Sequence, residues 1–112
     1  MSAQLGPVLV ILGTAPNVAT AERIGTALVE ERLAACANVL DGVTSIYRWK
    51  GSIEREREVL MILKTTPDLL ERLRARFVEM HPYEVPEVLA LHVEDGHGPY
   101  LDWVRDSVAA DG

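Results

Sequence analysis

The run His81-Pro82-Tyr83-Glu84-Val85-Pro86-Glu87 constrains this chain more than any other stretch of it. Each proline fixes its own φ, lacks an amide donor and pushes the residue before it out of the α region. His81 and Val85 are therefore biased toward extended backbone. The helical pattern that precedes them, with Leu70, Leu73 and Phe77 on one face, has to stop there. Beyond the second proline comes Val88-Leu89-Ala90-Leu91, a short apolar run of strand character. The segment between is a stiff connector that carries an imidazole, a phenol and two carboxylates.

Similar punctuation divides the rest of the chain. Val8–Gly13 is a continuous apolar run bounded by prolines, the pattern of a buried central strand. Asn17 is an expected N-cap for a helix running to Arg32, with Ala21, Ile24 and Leu28 as its apolar stripe. Ala34–Val39 starts a second strand, Asp41-Gly42 marks a kink or bulge, and Val43–Trp49 continues it. Lys50-Gly51 reads as the turn into a third strand, Ile53–Thr65. Thr66-Pro67 caps and opens the second helix. A fourth strand, Val88–Val93, and a closing helix near Tyr100–Val108 complete the chain.

The resulting order, β-α-β-β-α-β plus a terminal helix, predicts an α+β, ferredoxin-like sandwich with both helices on one face of the sheet. The second and third strands make a hairpin that outgrows a small domain. Its exposed edges call for a partner, which implies homo-oligomerisation.

The chain has 112 residues, enough for one domain with its own core, and its 48% hydrophobic and 25% charged residues are ordinary for a globular protein. The expected domain is residues 1–112, with a core from about 8 to 108. A net charge of −6 without a basic cluster argues against nucleic acid and anionic membranes as partners. No apolar run reaches membrane-spanning length, and Met1–Leu5 lacks the pattern of a signal peptide. The single Cys36 excludes an intrachain disulfide and makes a cytoplasmic location the expectation.

Chemistry-bearing residues are few. In Glu54-Arg55-Glu56-Arg57-Glu58 the acids face one side of the strand and the bases the other. That ladder either gathers cations or, as surface charge arrays usually do, keeps a hairpin soluble. Cys36, among alanines, reads as a small buried hydrophobe. His92 reads as a sheet-face residue, His97 as a solvated turn residue and Trp103 as a packing anchor. Tyr47 and Trp49 share a strand face and are expected either to pack or to line a cleft. Lys64 is expected to pair with Glu84 or Glu87, closing a polar cleft that also holds His81 and Tyr83.

Several segments together resemble one family. Ala15-Pro16-Asn17-Val18-Ala19-Thr20-Ala21, Glu31-Arg32-Leu33-Ala34-Ala35-Cys36-Ala37-Asn38 and Ser45-Ile46-Tyr47-Arg48-Trp49-Lys50-Gly51 look like CutA divalent-cation tolerance proteins. Lys64-Thr65-Thr66, the His81–Glu87 run and Tyr100-Leu101-Asp102-Trp103 do so as well. The likeness spans about Val8 to Val108.

The resemblance implies a ferredoxin-like fold, a tight homotrimer paired through the long hairpin strands, and a role in tolerance of copper and other divalent cations. It implies no firm catalytic activity, and an architecture similar to trimeric nitrogen-regulatory proteins that bind effectors between subunits. Copper-binding members use a cysteine, which falls here on Gly13, and two adjacent histidines, which fall on Met80 and His81. His81 is thus the one expected metal ligand retained.

Three functions follow as expectations. The first is a non-enzymatic trimer of metal tolerance that binds a divalent cation such as copper weakly. The second is a small-effector sensor whose intersubunit cleft uses Lys64, Tyr83, Glu84, Glu87, Tyr47 and Trp49. The third, an enzyme using His81 and Glu84 as an acid–base pair, has the least support, because no nucleophile with an adjacent base and no phosphate loop appears.

Overall fold

The computed structural model describes residues 6–110. Met1–Leu5, on which the expectation about a signal peptide rests, lie outside the described residues. The elements are β1 (Leu9–Ala15), α1 (Val18–Glu30), β2 (Cys36–Trp49), β3 (Ser52–Thr65), α2 (Leu70–Met80), β4 (Val88–His92) and α3 (Gly98–Val108). A single 3-10 turn, Pro67–Leu69, leads into α2. The strands form one antiparallel sheet in the order β2-β3-β1-β4. That order, with the β-α-β-β-α-β succession, is the ferredoxin-like arrangement expected from the sequence.

The core lies between one sheet face and the helices. Leu9, Ile11, Ala15, Val59, Met61 and Leu63 point at Ala21, Ile24, Leu28, Leu73 and Phe77, and all are essentially buried. Burying each large side chain in that layer contributes about 1.5–3 kcal/mol. Asn17 caps α1 as expected, its side chain accepting from the Thr20 amide at 2.8 Å. The helix ends at Glu30 and not at Arg32, because Arg32 takes φ +59° and turns the chain back. There the Arg32 guanidinium donates to the carbonyls of Ser107 and Ala109 and ties the end of α1 to α3.

The long hairpin is present in full. Asp41-Gly42 is the irregularity between the pairs Leu40↔Leu60 and Val43↔Glu58, and Gly42 takes φ +87°. The turn residues Lys50 and Gly51 both have positive φ (49° and 85°), the backbone of a tight hairpin turn whose twist matches that of its strands. Since β1 stops at Ala15, opposite Val59, the stretch of β3 from Ser52 to Glu58 pairs with β2 alone. The tip of the hairpin is therefore a two-stranded ribbon, and the molecule measures 52 × 25 × 22 Å.

Two local expectations change. The Thr66 hydroxyl donates to the Asp68 carboxylate and caps no backbone amide, so helix two opens with the 3-10 turn and becomes regular at Leu70. Trp103, expected as a packing anchor, packs at the surface and not in the core. It is 46% exposed and stacks on Tyr100, with ring centroids 5.6 Å apart.

Candidate functional site

α2 runs antiparallel to β3 and so carries His81 back along the sheet to the end of β1. His81 is the C-cap of α2, in extended backbone (φ −86°, ψ 138°), as the following proline requires. Its ring stacks on Phe77 at 5.3 Å and meets the Tyr83 ring at 4.6 Å. Nε2 lies 2.7 Å from the Thr14 carbonyl, and Nδ1 accepts from the Tyr83 amide at 3.1 Å. One tautomer, protonated at Nε2, satisfies both bonds. The imidazole is 8% exposed.

Both ring nitrogens are thus engaged with backbone. The imidazole expected as a metal ligand works in this structure as a strut between β1 and the proline connector. Among the described residues no group of three or more His, Cys, Asp or Glu is placed to hold a metal ion.

Gly13 and Met80, at the other two positions implied by the resemblance, have become part of the core. A Cβ at Gly13 would stand 2.8 Å from Phe77 Cζ and 3.0 Å from the Glu87 carbonyl oxygen. The Phe77 ring therefore occupies the space a cysteine side chain would need. Met80 is partly buried against the same core.

Beside the strut is an open groove of about 670 Å³. Its floor is ribbon: Ser45, Tyr47 and Trp49 from β2 lie on the same face as Glu56 and Glu58 from β3, as the register Ser45↔Glu56 and period-two alternation require. Its wall is the connector, through Pro82, Tyr83, Glu84, Val85 and Glu87. The Tyr83 hydroxyl donates to Glu58 Oε2 at 2.6 Å. Burial first, and this bond second, push the Tyr83 phenol far above its usual range. The Tyr47 phenol is shifted upward too, by partial burial and then by Glu56, Glu58 and Glu54.

Five of the expected cleft residues, Tyr47, Trp49, Tyr83, Glu84 and Glu87, come together in this groove. Lys64 does not. It sits opposite Cys36 and Val10 at the far end of β3 and donates to Asn38 Oδ1 at 2.6 Å. Six strand positions separate it from Glu58, roughly 20 Å at a strand's rise per residue. The cation near Glu84 is instead Lys50, at 3.9 Å.

Glu58 and Thr14 belong to the site and were not expected there. Glu58, only 6% exposed, is the last member of the charged ladder and the first beside the apolar half of β3, a position that marks it for burial. The Glu and Arg sides of the ladder separate as the alternation predicts. Cys36 is half-buried, with Sγ 3.7 Å from the Tyr100 hydroxyl. His92 lies exposed on β4, and His97 is exposed just before α3.

Comparison with known proteins follows this geometry closely. The family model described as CutA1 divalent ion tolerance protein matches residues 9–107. The "Divalent-cation tolerance protein CutA" of Thermus thermophilus is 47% identical over 98 residues, 88% of this chain and 95% of that one. The human "Protein CutA" is 51% identical over 100 residues, 89% of this chain and 56% of that protein, so the chain spans about half of its length. A solved structure from Thermus thermophilus superposes with a TM-score of 0.87 at 46% identity, covering 89% of this chain and 97% of that one. CutA1 from Oryza sativa gives 0.92 at 35% identity, over 96% and 99%. Other relatives carry names that place them in the chloroplast or the periplasm. No helix among the described residues is long and apolar enough to cross a membrane.

Proposed function

We propose, from the premise that this chain belongs to the CutA1 divalent ion tolerance family, that it serves metal tolerance as a non-enzymatic, cytoplasmic homotrimer. Three copies pair through the long hairpin strands. Copper, or another divalent cation, binds only weakly, at groove carboxylates that gather no cluster of three or more ligands among the described residues, and not through His81. The observation that carries the metal-tolerance reading is the family match over residues 9–107. The pair of backbone bonds on both His81 nitrogens is what turns the cation toward the groove.

Assembly is supported by what one copy leaves uncovered. β2 is a 14-residue strand at the sheet edge, and long open edges are templates for pairing. Ile46 and Ile53 on the ribbon are each 62% exposed, and Leu89 and Leu91 on β4 are half exposed. By register Leu89 and Leu91 share with Leu12 and Val10 the sheet face turned away from the helices. Light scattering is expected to return three chain masses, and a stable monomer would overturn the assembly.

Copper titration by calorimetry tests the metal reading. His81→Ala, kept only if circular dichroism shows it folded, is expected to leave the copper heats unchanged. Glu56→Gln combined with Glu87→Gln is expected to weaken them. Loss of copper binding in folded His81→Ala would overturn the assignment.

The groove itself favours a second reading, a small-effector sensor or adaptor that signals through ligand occupancy. Its volume falls in the range of small-molecule sites, and its polar groups converge from β1, β2, β3 and the proline connector. Thermal-shift screening of metabolites is expected to yield stabilising ligands, and a flat response would count against it.

A further inference from the structure

The groove is lined by one sign of charge and by aromatic rings. Four glutamates line it, Glu56, Glu58, Glu84 and Glu87, and no lysine or arginine does so among the described residues. Glu58 is engaged by the Tyr83 hydroxyl, and Glu84 faces Lys50. Glu56 and Glu87 have no ion pair among the described residues. Between the carboxylates stand the rings of Tyr47, Trp49 and Tyr83. Such a surface repels anions. Aromatic faces add nothing for a hard metal dication, which takes oxygen ligands in a tight shell. An organic cation uses both kinds of group, the carboxylate for its charge and the ring face for its quadrupole.

The chain already supplies a cation of that kind. The Lys50 ammonium stands 5.4 Å from the centroid of the Trp49 ring and 3.9 Å from Glu84 Oε1. It is an alkylammonium between an indole face and a carboxylate, at the mouth of the groove and not part of its lining. Lys50 and Glu84 are both more than 70% exposed, so water competes for this contact and an entering ligand can displace it. Pro82 and Val85 also line the groove, which gives a cationic head room for a short apolar stem.

We infer that the groove takes an organic cation, an ammonium or guanidinium head on a small apolar body, and that Lys50 is its intramolecular placeholder. This rests on the groove being the ligand surface of the sensor reading. The Trp49 face and Glu84 hold the head, Glu56 and Glu87 supply the remaining charge, and the Tyr83–Glu58 bond keeps the connector wall in place.

The test uses Trp103→Phe, which leaves Trp49 as the only tryptophan in the chain. Its fluorescence is titrated with tetramethylammonium chloride and, at matched ionic strength, with sodium chloride. Tetramethylammonium is expected to give a saturable change and sodium none. Lys50→Ala on that background is expected to tighten binding about 2- to 5-fold, the scale of an exposed cation–π contact. Followed by calorimetry, Trp49→Ala is expected to weaken it about 5- to 30-fold. Equal responses to the two salts, or a midpoint indifferent to both Lys50→Ala and Trp49→Ala, would overturn the inference. Light scattering on the same samples separates that outcome from failure of the trimer. A trimer that ignores tetramethylammonium sinks the ligand class and leaves the assembly standing.

Discussion

β3 is one continuous strand with two characters. From Val59 to Thr65 it lies between β2 and β1, and Val59, Met61, Leu63 and Thr65 are buried at 1% exposure or less. From Ser52 to Glu58 it pairs with β2 alone, and charge replaces the apolar stripe. Backbone geometry is the same in both halves, so strand propensity does not distinguish them. What differs is what covers the faces. The inner half is covered on both edges by its own chain, whereas the outer half is paired with β2 alone. Glu58, Tyr83 and His81 meet at the boundary, where a buried carboxylate is tolerable because a hydroxyl answers it.

That contrast can be broken most sharply from the inner side. Phe77→Ala is expected to cost about 3–5 kcal/mol in urea unfolding, since the ring fills the core and also supports His81. A loss of surface-substitution size would mean that the ring is not the keystone. Gly13→Cys is expected to cost up to about 3 kcal/mol by overpacking, because its Cβ meets Phe77 and the Glu87 carbonyl. Calorimetry on that variant should show no gain in copper affinity, and a tight new site would refute the packing account.

At the boundary, Tyr83→Phe is expected to cost about 1.5 kcal/mol by removing a donor to a buried carboxylate. It also carries a pH signature. The folded phenol titrates above its ordinary value of 10.0, so the folded state keeps its proton where the unfolded chain has lost it. This contribution is complete below about pH 10 and is lost as the pH rises beyond that. Wild type should therefore lose stability more steeply than Tyr83→Phe in alkaline urea titrations. Parallel slopes would rule the phenol out.

The outer half should respond least in stability. Ile46→Thr and Ile53→Thr are expected to change unfolding free energy of the separated chain by no more than about 0.5 kcal/mol. Their effect should appear in light scattering, as weakened assembly. A large stability loss in the monomer would show the ribbon to be as self-sufficient as the body.

Most of this architecture is legible from period and punctuation. The buried run of β1, the Asn17 cap, the bulge at Asp41-Gly42 and the Lys50-Gly51 turn each rest on local chemistry, and each is where the pattern puts it. The groove is partly legible for the same reason: Tyr47 and Trp49 share a face by alternation, and the prolines stiffen the opposite wall. Lys64 was misplaced because its partner depends on direction and not on pattern. An 11-residue helix running back along β3 returns the chain about 16 Å from where it left, which carries Glu84 and Glu87 away from Lys64. The bond that ties His81 to the Thr14 carbonyl has no local signature, since Thr14 is 67 residues away in the chain.

The order of the sheet also bears on how the protein is made. β1 is made before the other strands, yet it ends in the middle of the sheet, between β3 and β4. Leu9 pairs with Thr65 on one side and with His92 on the other. At a synthesis rate of about 5–20 residues per second, its second edge stays unsatisfied for about 4–17 s after it is made. The apolar strand β1 thus waits for its second neighbour until β4 has been made.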